Sequence, residues 1–132
     1  MPSTCAAVVI EDDDDVGRLV QTVLSATGLQ IQLTATGTEG VAAVRRHSPD
    51  LVVLDYGLPD ITGLEVIRRI RRFSAVPILM LTGHEDLVET LLSAGASAVI
   101  TKPFRVRALR EQIEKMRIPH LSEMLGLQLK EQ

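Results

Sequence analysis

Short apolar runs, each followed at once by a polar residue, are the feature that most constrains this chain. They are rich in Val, Ile and Leu and occupy residues 6–10, 51–54, 76–81 and 98–100. Runs of this length and composition are typical of strands buried on both faces, as in a parallel sheet. Residues 30–33 alternate polar and apolar side chains, which predicts a half-exposed edge strand. The pattern therefore predicts a five-stranded sheet.

Helical patterns alternate with these strands. Apolar side chains recur at helical spacing in five segments, which are 16–24, 38–47, 64–73, 86–93 and 105–116. Five βα units with right-handed crossovers predict an α/β, doubly wound, flavodoxin-like (βα)5 fold with a parallel sheet in the order 2-1-3-4-5. We assign residues 1–118 to this domain and residues 119–132 to a C-terminal tail or the start of a linker helix.

Polar residues follow the carboxyl ends of four of the strands. Glu11 and Asp12 follow the first strand, Asp55 the third, Thr82 the fourth and Lys102 the fifth. Ligands of open parallel sheets bind outside the carboxyl ends of the strands, at the point where the strand order reverses. Three carboxylates, a hydroxyl and an ammonium group are therefore expected to converge on one site. Oxygen-rich sites of this kind suit Mg²⁺ and a phosphoryl group.

Composition narrows the classes of protein to which this chain can belong. Its single cysteine, Cys5, cannot form an intrachain disulfide, and the first residues lack the pattern of a signal peptide. No apolar run approaches the roughly 20 residues that span a bilayer. The net charge of −3 argues against a nucleic-acid surface. We therefore expect a cytoplasmic protein that contacts neither membrane nor nucleic acid directly.

Four motifs occur in a characteristic order and spacing between residues 6 and 117. They are VVIEDD at 8–13, LDYGLPDITG at 54–63, LMLTG at 79–83 and TKPF at 101–104. Together they resemble the receiver domains of two-component response regulators. The resemblance implies that a sensor histidine kinase or a phosphotransfer protein donates a phosphoryl group from a phosphohistidine to Asp55. It also implies a phosphorylation-driven switch that assists only its own phosphorylation and autodephosphorylation, and not a metabolic enzyme.

The expected metal site consists of oxygen ligands near Asp55. Several anionic groups in one pocket repel each other and an incoming phosphoryl group, and a divalent cation relieves this repulsion. We expect Asp12 and Asp55 to bind Mg²⁺ directly and Glu11 to act through water. The backbone carbonyl of Gly57 matches a ligand of the family.

The remaining site residues are expected to contact the phosphoryl oxygens. Phosphoryl transfer depends mostly on positioning and on neutralising the charge of these oxygens. Lys102 would pair with one oxygen, the Thr82 hydroxyl would bind another, and the Gly83 N–H is a further donor. The resemblance also implies a cis bond between Lys102 and Pro103.

Two other functions fit some of the same residues. A degenerate receiver would be a phosphorylation-independent interaction module, but the presence of Asp12, Asp55, Thr82 and Lys102 together disfavours it. A phosphohydrolase with an aspartyl intermediate would carry a second acid two residues after the nucleophile, where this chain has Gly57. The receiver is therefore the preferred interpretation.

This chain lacks an aromatic residue that many receivers carry, and the route of the signal is predicted from that difference. Many receivers carry Tyr or Phe three residues before the conserved lysine, and this chain has Val99 there. We expect the fourth helix, fifth strand and fifth helix to transmit the signal to an effector or output domain through backbone movement. The arginines at 105, 107 and 110 would form the partner face.

Three local features have simpler structural interpretations. The carboxylates of residues 13–15 are expected to cap the first helix, and His84 is expected to begin a helix. The arginines among residues 68–72 are expected to form a solvated helix face.

Overall fold

The computed structural model describes residues 6–116. Residues 1–5 and 117–118 of the predicted domain, and the predicted tail at 119–132, lie outside this range. The five strands are β1 (Ala6–Ile10), β2 (Gln30–Thr34), β3 (Leu51–Asp55), β4 (Ile78–Thr82) and β5 (Ala98–Thr101). The helices are α1 (Asp14–Ser25), α2 (Gly37–His47), α3 (Gly63–Arg71), α4 (Val88–Ala94) and α5 (Val106–Lys115).

All strand pairs are parallel, and the sheet order is β2-β1-β3-β4-β5, as predicted. Every residue of β3 and β4 is buried, whereas β2 contains only exposed and half-buried positions, as an edge strand should. The predicted alternation fails at Leu33, which is 38% exposed. The register pairs Ile10 with Leu54, and Asp55 with Leu81. The carboxyl ends of the central strands therefore lie side by side.

Two apolar clusters, one on each face of the sheet, hold the helices in place. Alternate side chains of a strand point to opposite faces, so Val53 faces one cluster and Leu54 the other. The first cluster includes Leu24 of α1 and Leu109 of α5. The second includes side chains of the other three helices, which are Val44, Val66, Ile67, Ile70 and Leu91. Helices on both faces confirm the doubly wound architecture.

Side-chain caps set the starts of the first three helices. The Asp13 carboxylate accepts hydrogen bonds from the N–H groups of Asp15 and Val16, which confirms the predicted cap of α1. Thr36 and Thr62 cap α2 and α3 in the same way. Such caps satisfy N–H groups that have no partner within the helix.

The fourth helical segment differs from the single helix predicted over residues 86–93. A short 3-10 turn, Glu85–Leu87, precedes α4. Neither His84 nor Leu87 supplies a side-chain cap, so the first turn tightens and does not begin as a regular α-helix. The helix ends at Gly95, whose φ of 124° favours glycine. His84 does begin the helical segment, as expected.

The prediction of a fully solvated arginine face on α3 is wrong for Arg71, which is half-buried. Arg68 and Arg72 are exposed, and Arg69 forms an ion pair with Glu65 on the helix surface. The Arg71 guanidinium instead turns back toward the sheet. It donates to the backbone carbonyls of Ser74, Val76 and Gly95 at 2.8–3.1 Å. The Ser74 and Val76 carbonyls follow α3 and the Gly95 carbonyl follows α4, so one guanidinium satisfies backbone acceptors of two separate turns.

Gly40 in α2 and Gly17 in α1 differ in how closely each packs against its neighbours. A Cβ at Gly40 would lie 2.6 Å from Cγ1 of Ile10, whereas a Cβ at Gly17 would lie 3.4 Å from Leu33. We expect Gly40→Ala to lower the free energy of unfolding by about 1–2 kcal/mol, because overpacking exceeds the gain in helix propensity. Gly17→Ala should raise it by about 0.5–1 kcal/mol. Urea unfolding of both variants measures the difference, and equal effects would contradict this packing.

Candidate functional site

The candidate site lies at the carboxyl edge of the sheet. Asp55 and Thr82 are the last residues of β3 and β4, and Lys102 follows β5 directly. Glu11 and Asp12 follow β1, where the Glu11 N–H donates to the Thr34 carbonyl. The strand order brings these ends together, so the predicted convergence is confirmed for the backbone positions.

Three carboxylates form the centre of the site. Glu11 and Asp55 are buried, with 5% and 6% of their surface exposed, whereas Asp12 is exposed to solvent. One oxygen from each lies within 4.8 Å of the other two. This donor set consists of hard, anionic oxygens with an opening to solvent on one side. It fits Mg²⁺, which binds one or two carboxylates and retains water molecules.

Lys102 supplies the positive charge of the site. Its Nζ lies 2.8 Å from Oδ1 of Asp55 and 3.5 Å from Oε2 of Glu11. The Lys102 N–H donates to the Thr82 carbonyl, which joins the end of β5 to the end of β4. The Lys102–Pro103 bond is cis, as predicted. Burial alone would lower the pKa of Lys102, but the Asp55 hydrogen bond and the Glu11 charge raise it.

This arrangement disfavours the ionised form of Glu11. Burial and the nearby Asp55 charge raise its pKa from 4.5 to about 7. The Asp13 N–H and Lys102 offset part of this increase, because both stabilise the ionised carboxylate. One ammonium group therefore does not compensate the carboxylates that surround it.

The structure places the smaller predicted contributors around the carboxylates. A Cβ at Gly57 would lie 4.0 Å from Oδ2 of Asp55, so Gly57 lies beside the acidic cluster. Gly83 is exposed, and a Cβ there would meet no heavy atom within 4 Å, which leaves its backbone approachable. Thr82 is fully buried, and its Oγ accepts a hydrogen bond from the His84 N–H. Its hydroxyl is thus engaged with its own loop.

Two features of the site region were not predicted from the sequence. The rings of Tyr56 and His84 meet edge to face, with centroids 5.4 Å apart, and so link the loops after β3 and β4. Asp60 binds the start of α2 through Gly37 and Thr38. Its position after a Leu-Pro pair suggests a turn residue. Only the folded structure identifies the helix that it contacts.

Comparison with known proteins assigns most of the chain to one family. Residues 7–114 match the response regulator receiver domain model. The chain is 38% identical over 115 residues to the transcriptional regulatory protein AfsQ1 of Streptomyces coelicolor, covering 86% of this chain and 50% of that protein. It is 32% identical to the KDP operon transcriptional regulatory protein KdpE of Escherichia coli, covering 80% and 48%. The chain therefore spans about half the length of these relatives.

Solved structures give the same assignment. The CheY-like response regulator receiver domain protein of Methanospirillum hungatei aligns with a TM-score of 0.80 at 28% identity, covering 94% of this chain and 98% of that one. The BeF3-activated receiver domain of Klebsiella pneumoniae RstA aligns with a TM-score of 0.78 at 29% identity, covering 85% and 98%. Within residues 6–116, no helix is long and apolar enough to cross a membrane.

The raised pKa of Glu11 predicts a pH-dependent stability in metal-free buffer. Between about pH 4.5 and 7 the folded state holds a proton that the unfolded state has released, so the free energy of unfolding falls as pH rises through this window. Glu11→Gln should remove a decrease on the order of 1–3 kcal/mol. Urea unfolding at pH 4.5 and pH 8 with EDTA measures it.

The exposed residue Glu39 provides a matched control. Glu39→Gln should retain the pH dependence of the wild type, because its side chain lies outside the acidic cluster. Equal pH slopes for the wild type and Glu11→Gln would show that Glu11 is not the group responsible.

Proposed function

The chain belongs to the response regulator receiver domain family, and we therefore propose that Asp55 accepts a phosphoryl group. The donor is the phosphohistidine of a sensor histidine kinase or of a phosphotransfer protein. One observation carries the proposal: the buried Asp55 carboxylate lies 2.8 Å from Lys102, among oxygens arranged to hold a cation. The signalling role of the family makes the chain a switch and not an enzyme with its own substrate.

We propose that the acidic cluster holds Mg²⁺. Asp12 and Asp55 would bind it directly, Glu11 through water, and Gly57 through its backbone carbonyl. Bound Mg²⁺ would neutralise negative charge on the phosphoryl oxygens, so that the anionic Asp55 and the anionic donor could approach each other. The crowding that raises the pKa of Glu11 supports the proposal, because a cation relieves that crowding.

The transfer itself requires little covalent chemistry from the protein. An Asp55 oxygen forms a bond to phosphorus while the phosphorus–nitrogen bond of the phosphohistidine breaks, and the electron pair of that bond returns to the histidine ring. Lys102 then pairs with a phosphoryl oxygen. The Thr82 oxygen accepts from the His84 N–H, and its hydroxyl proton would be donated to another phosphoryl oxygen. The N–H of Gly83, an exposed residue, would donate to the same group.

We further propose that the signal leaves through α4, β5 and α5. Val99 on β5 is half-buried and packs against the same apolar cluster as Leu87 and Leu91, which belong to the helical segment after Thr82. Gly95, at the end of α4, is bound by Arg71, whereas the start of α4 has no side-chain cap. Movement of Thr82 is therefore expected to displace the start of α4 more than its end. The effector or output domain would bind this face. We also propose a cytoplasmic location, as expected from the sequence.

A labelling experiment tests the phosphoacceptor. Incubation with acetyl phosphate and Mg²⁺ should add one phosphoryl group, about 80 Da, to the intact mass, because the Asp55 carboxylate is the nucleophile. Asp55→Asn and excess EDTA should each abolish the gain. Undiminished labelling of Asp55→Asn would move the acceptor elsewhere. A wild type that takes up no phosphoryl group would favour the degenerate receiver.

Hydrogen exchange tests the output route. Adding beryllofluoride, a mimic of the phosphoryl group, with Mg²⁺ should change amide protection within residues 83–110, since this range follows Thr82 and includes Lys102. Asp55→Asn is the control, because it lacks the carboxylate that beryllofluoride needs. Changes confined to α1 and α2 would contradict the route through α4, β5 and α5.

A further inference from the structure

The loop that follows Asp55 is tied to a helix outside the acidic cluster. Asp60 lies in this loop, residues 56–62, and its carboxylate accepts three hydrogen bonds from the start of α2. The Gly37 N–H donates to Oδ1 at 2.8 Å, and the N–H and hydroxyl of Thr38 donate to Oδ2 at 2.9 and 2.6 Å. Thr62 caps α3, the helix that directly follows the loop, whereas the Asp60 side chain bonds a helix that is distant in the sequence.

Packing beside these bonds holds the same two segments together. A Cβ at Gly37 would lie 2.5 Å from Cγ1 of Ile61 and 2.8 Å from Cγ2 of Val66. The first turn of α2 therefore sits directly on the end of the loop and on α3. A side chain at Gly37 would separate them, so hydrogen bonding and packing are two independent signs of one close contact.

The other end of the loop is tied to the sheet. The Tyr56 N–H donates to the Leu81 carbonyl of β4, and the Tyr56 carbonyl accepts from the N–H groups of Leu58 and Gly63. Gly57 lies between the Tyr56 attachment and the Asp60 attachment, exposed and beside Asp55. Its carbonyl is the proposed backbone ligand, and glycine by itself does little to restrict its orientation.

We propose that Asp60 and Thr38 are positioning residues that orient the Gly57 carbonyl for metal binding and couple the site to the first turn of α2. This inference rests on the proposed magnesium site. Groups behind a metal ligand orient it and tune the affinity of the site. The coupling is reciprocal: if the contact between Asp60 and α2 favours metal binding, metal binding stabilises that contact to the same extent.

Magnesium affinity of two matched threonine variants tests the first half of the inference. Thr38→Val removes the hydroxyl that donates to Asp60, whereas Thr36→Val removes a hydroxyl of the same helix end that accepts from the Glu39 N–H. The single tyrosine, Tyr56, lies next to the site in a chain without tryptophan, so its fluorescence reports binding, and calorimetry provides a second measure. Outer ligand partners change metal affinity by roughly 10–100-fold, and we expect about 3–10-fold weaker binding for Thr38→Val at this greater distance. Thr38→Ser should restore it, and Thr36→Val should match the wild type.

Amide exchange in the first turn of α2 tests the second half. Adding Mg²⁺ to the wild type should slow exchange of the Gly37 and Thr38 amides, both of which donate to Asp60. The Glu39 amide, which donates to Thr36, should change less. Asp60→Asn should remove the Mg²⁺-dependent protection at Gly37 and Thr38, while its circular dichroism and cooperative melting verify that it is folded.

The outcomes separate this inference from the function on which it rests. Equal magnesium affinities of Thr38→Val and Thr36→Val, or unchanged Gly37 and Thr38 amides on adding Mg²⁺, would overturn the positioning role and leave the magnesium site intact. A wild type that binds no Mg²⁺ by fluorescence or calorimetry would overturn both proposals. Support for the positioning role requires weaker Mg²⁺ binding in Thr38→Val but not in Thr36→Val, recovery in Thr38→Ser, and Mg²⁺-dependent protection of the Gly37 and Thr38 amides.

Discussion

Burial of the central strands on both faces is the constraint on which the rest of the structure depends. Every residue of β3 and β4 is covered by helices, so a charged group inside either strand would have to be buried without water. Polar chemistry is therefore confined to the strand ends. Because the strands are parallel, those ends lie on one edge, where Asp55 and Thr82 occupy the last strand positions and Lys102 follows β5. The site is a consequence of how the core excludes charge.

The carboxylates at that edge differ in how well their negative charge is compensated. Asp55 has the ammonium group of Lys102 at 2.8 Å, whereas Glu11 has it only at 3.5 Å and is less well compensated. Desolvation and the Asp55 charge therefore raise the pKa of Glu11, while Asp12 remains in contact with water. A metal-free site of this kind stores electrostatic repulsion, which lowers stability and favours cation binding by the same free energy.

Much of the fold and the centre of the site could be predicted because their signals are local in the sequence. The buried runs predict β1, β3, β4 and β5, and their end residues predict the cluster around Asp55. The contacts of Arg71 and Asp60 could not be predicted in this way, because each side chain binds backbone groups of a distant segment. The helical pattern at Arg71 indicates only a surface position. Which carbonyl or N–H group meets such a side chain depends on how helices pack across the sheet, and a single sequence carries no periodic signal for that.

The two edges of the sheet satisfy their polar groups differently. At the amino edge, the Arg71 guanidinium donates to three backbone carbonyls, and the Asp50 carboxylate accepts from the Ala6 N–H at 2.9 Å. These are bonds between charged side chains and neutral backbone, and they are made without any ligand. At the carboxyl edge, the Lys102 ammonium group contacts Glu11 and Asp55, and Asp12 lies within the same cluster. The amino edge therefore satisfies its polar groups with bonds inside the chain, whereas the carboxyl edge carries negative charge that Lys102 does not fully compensate.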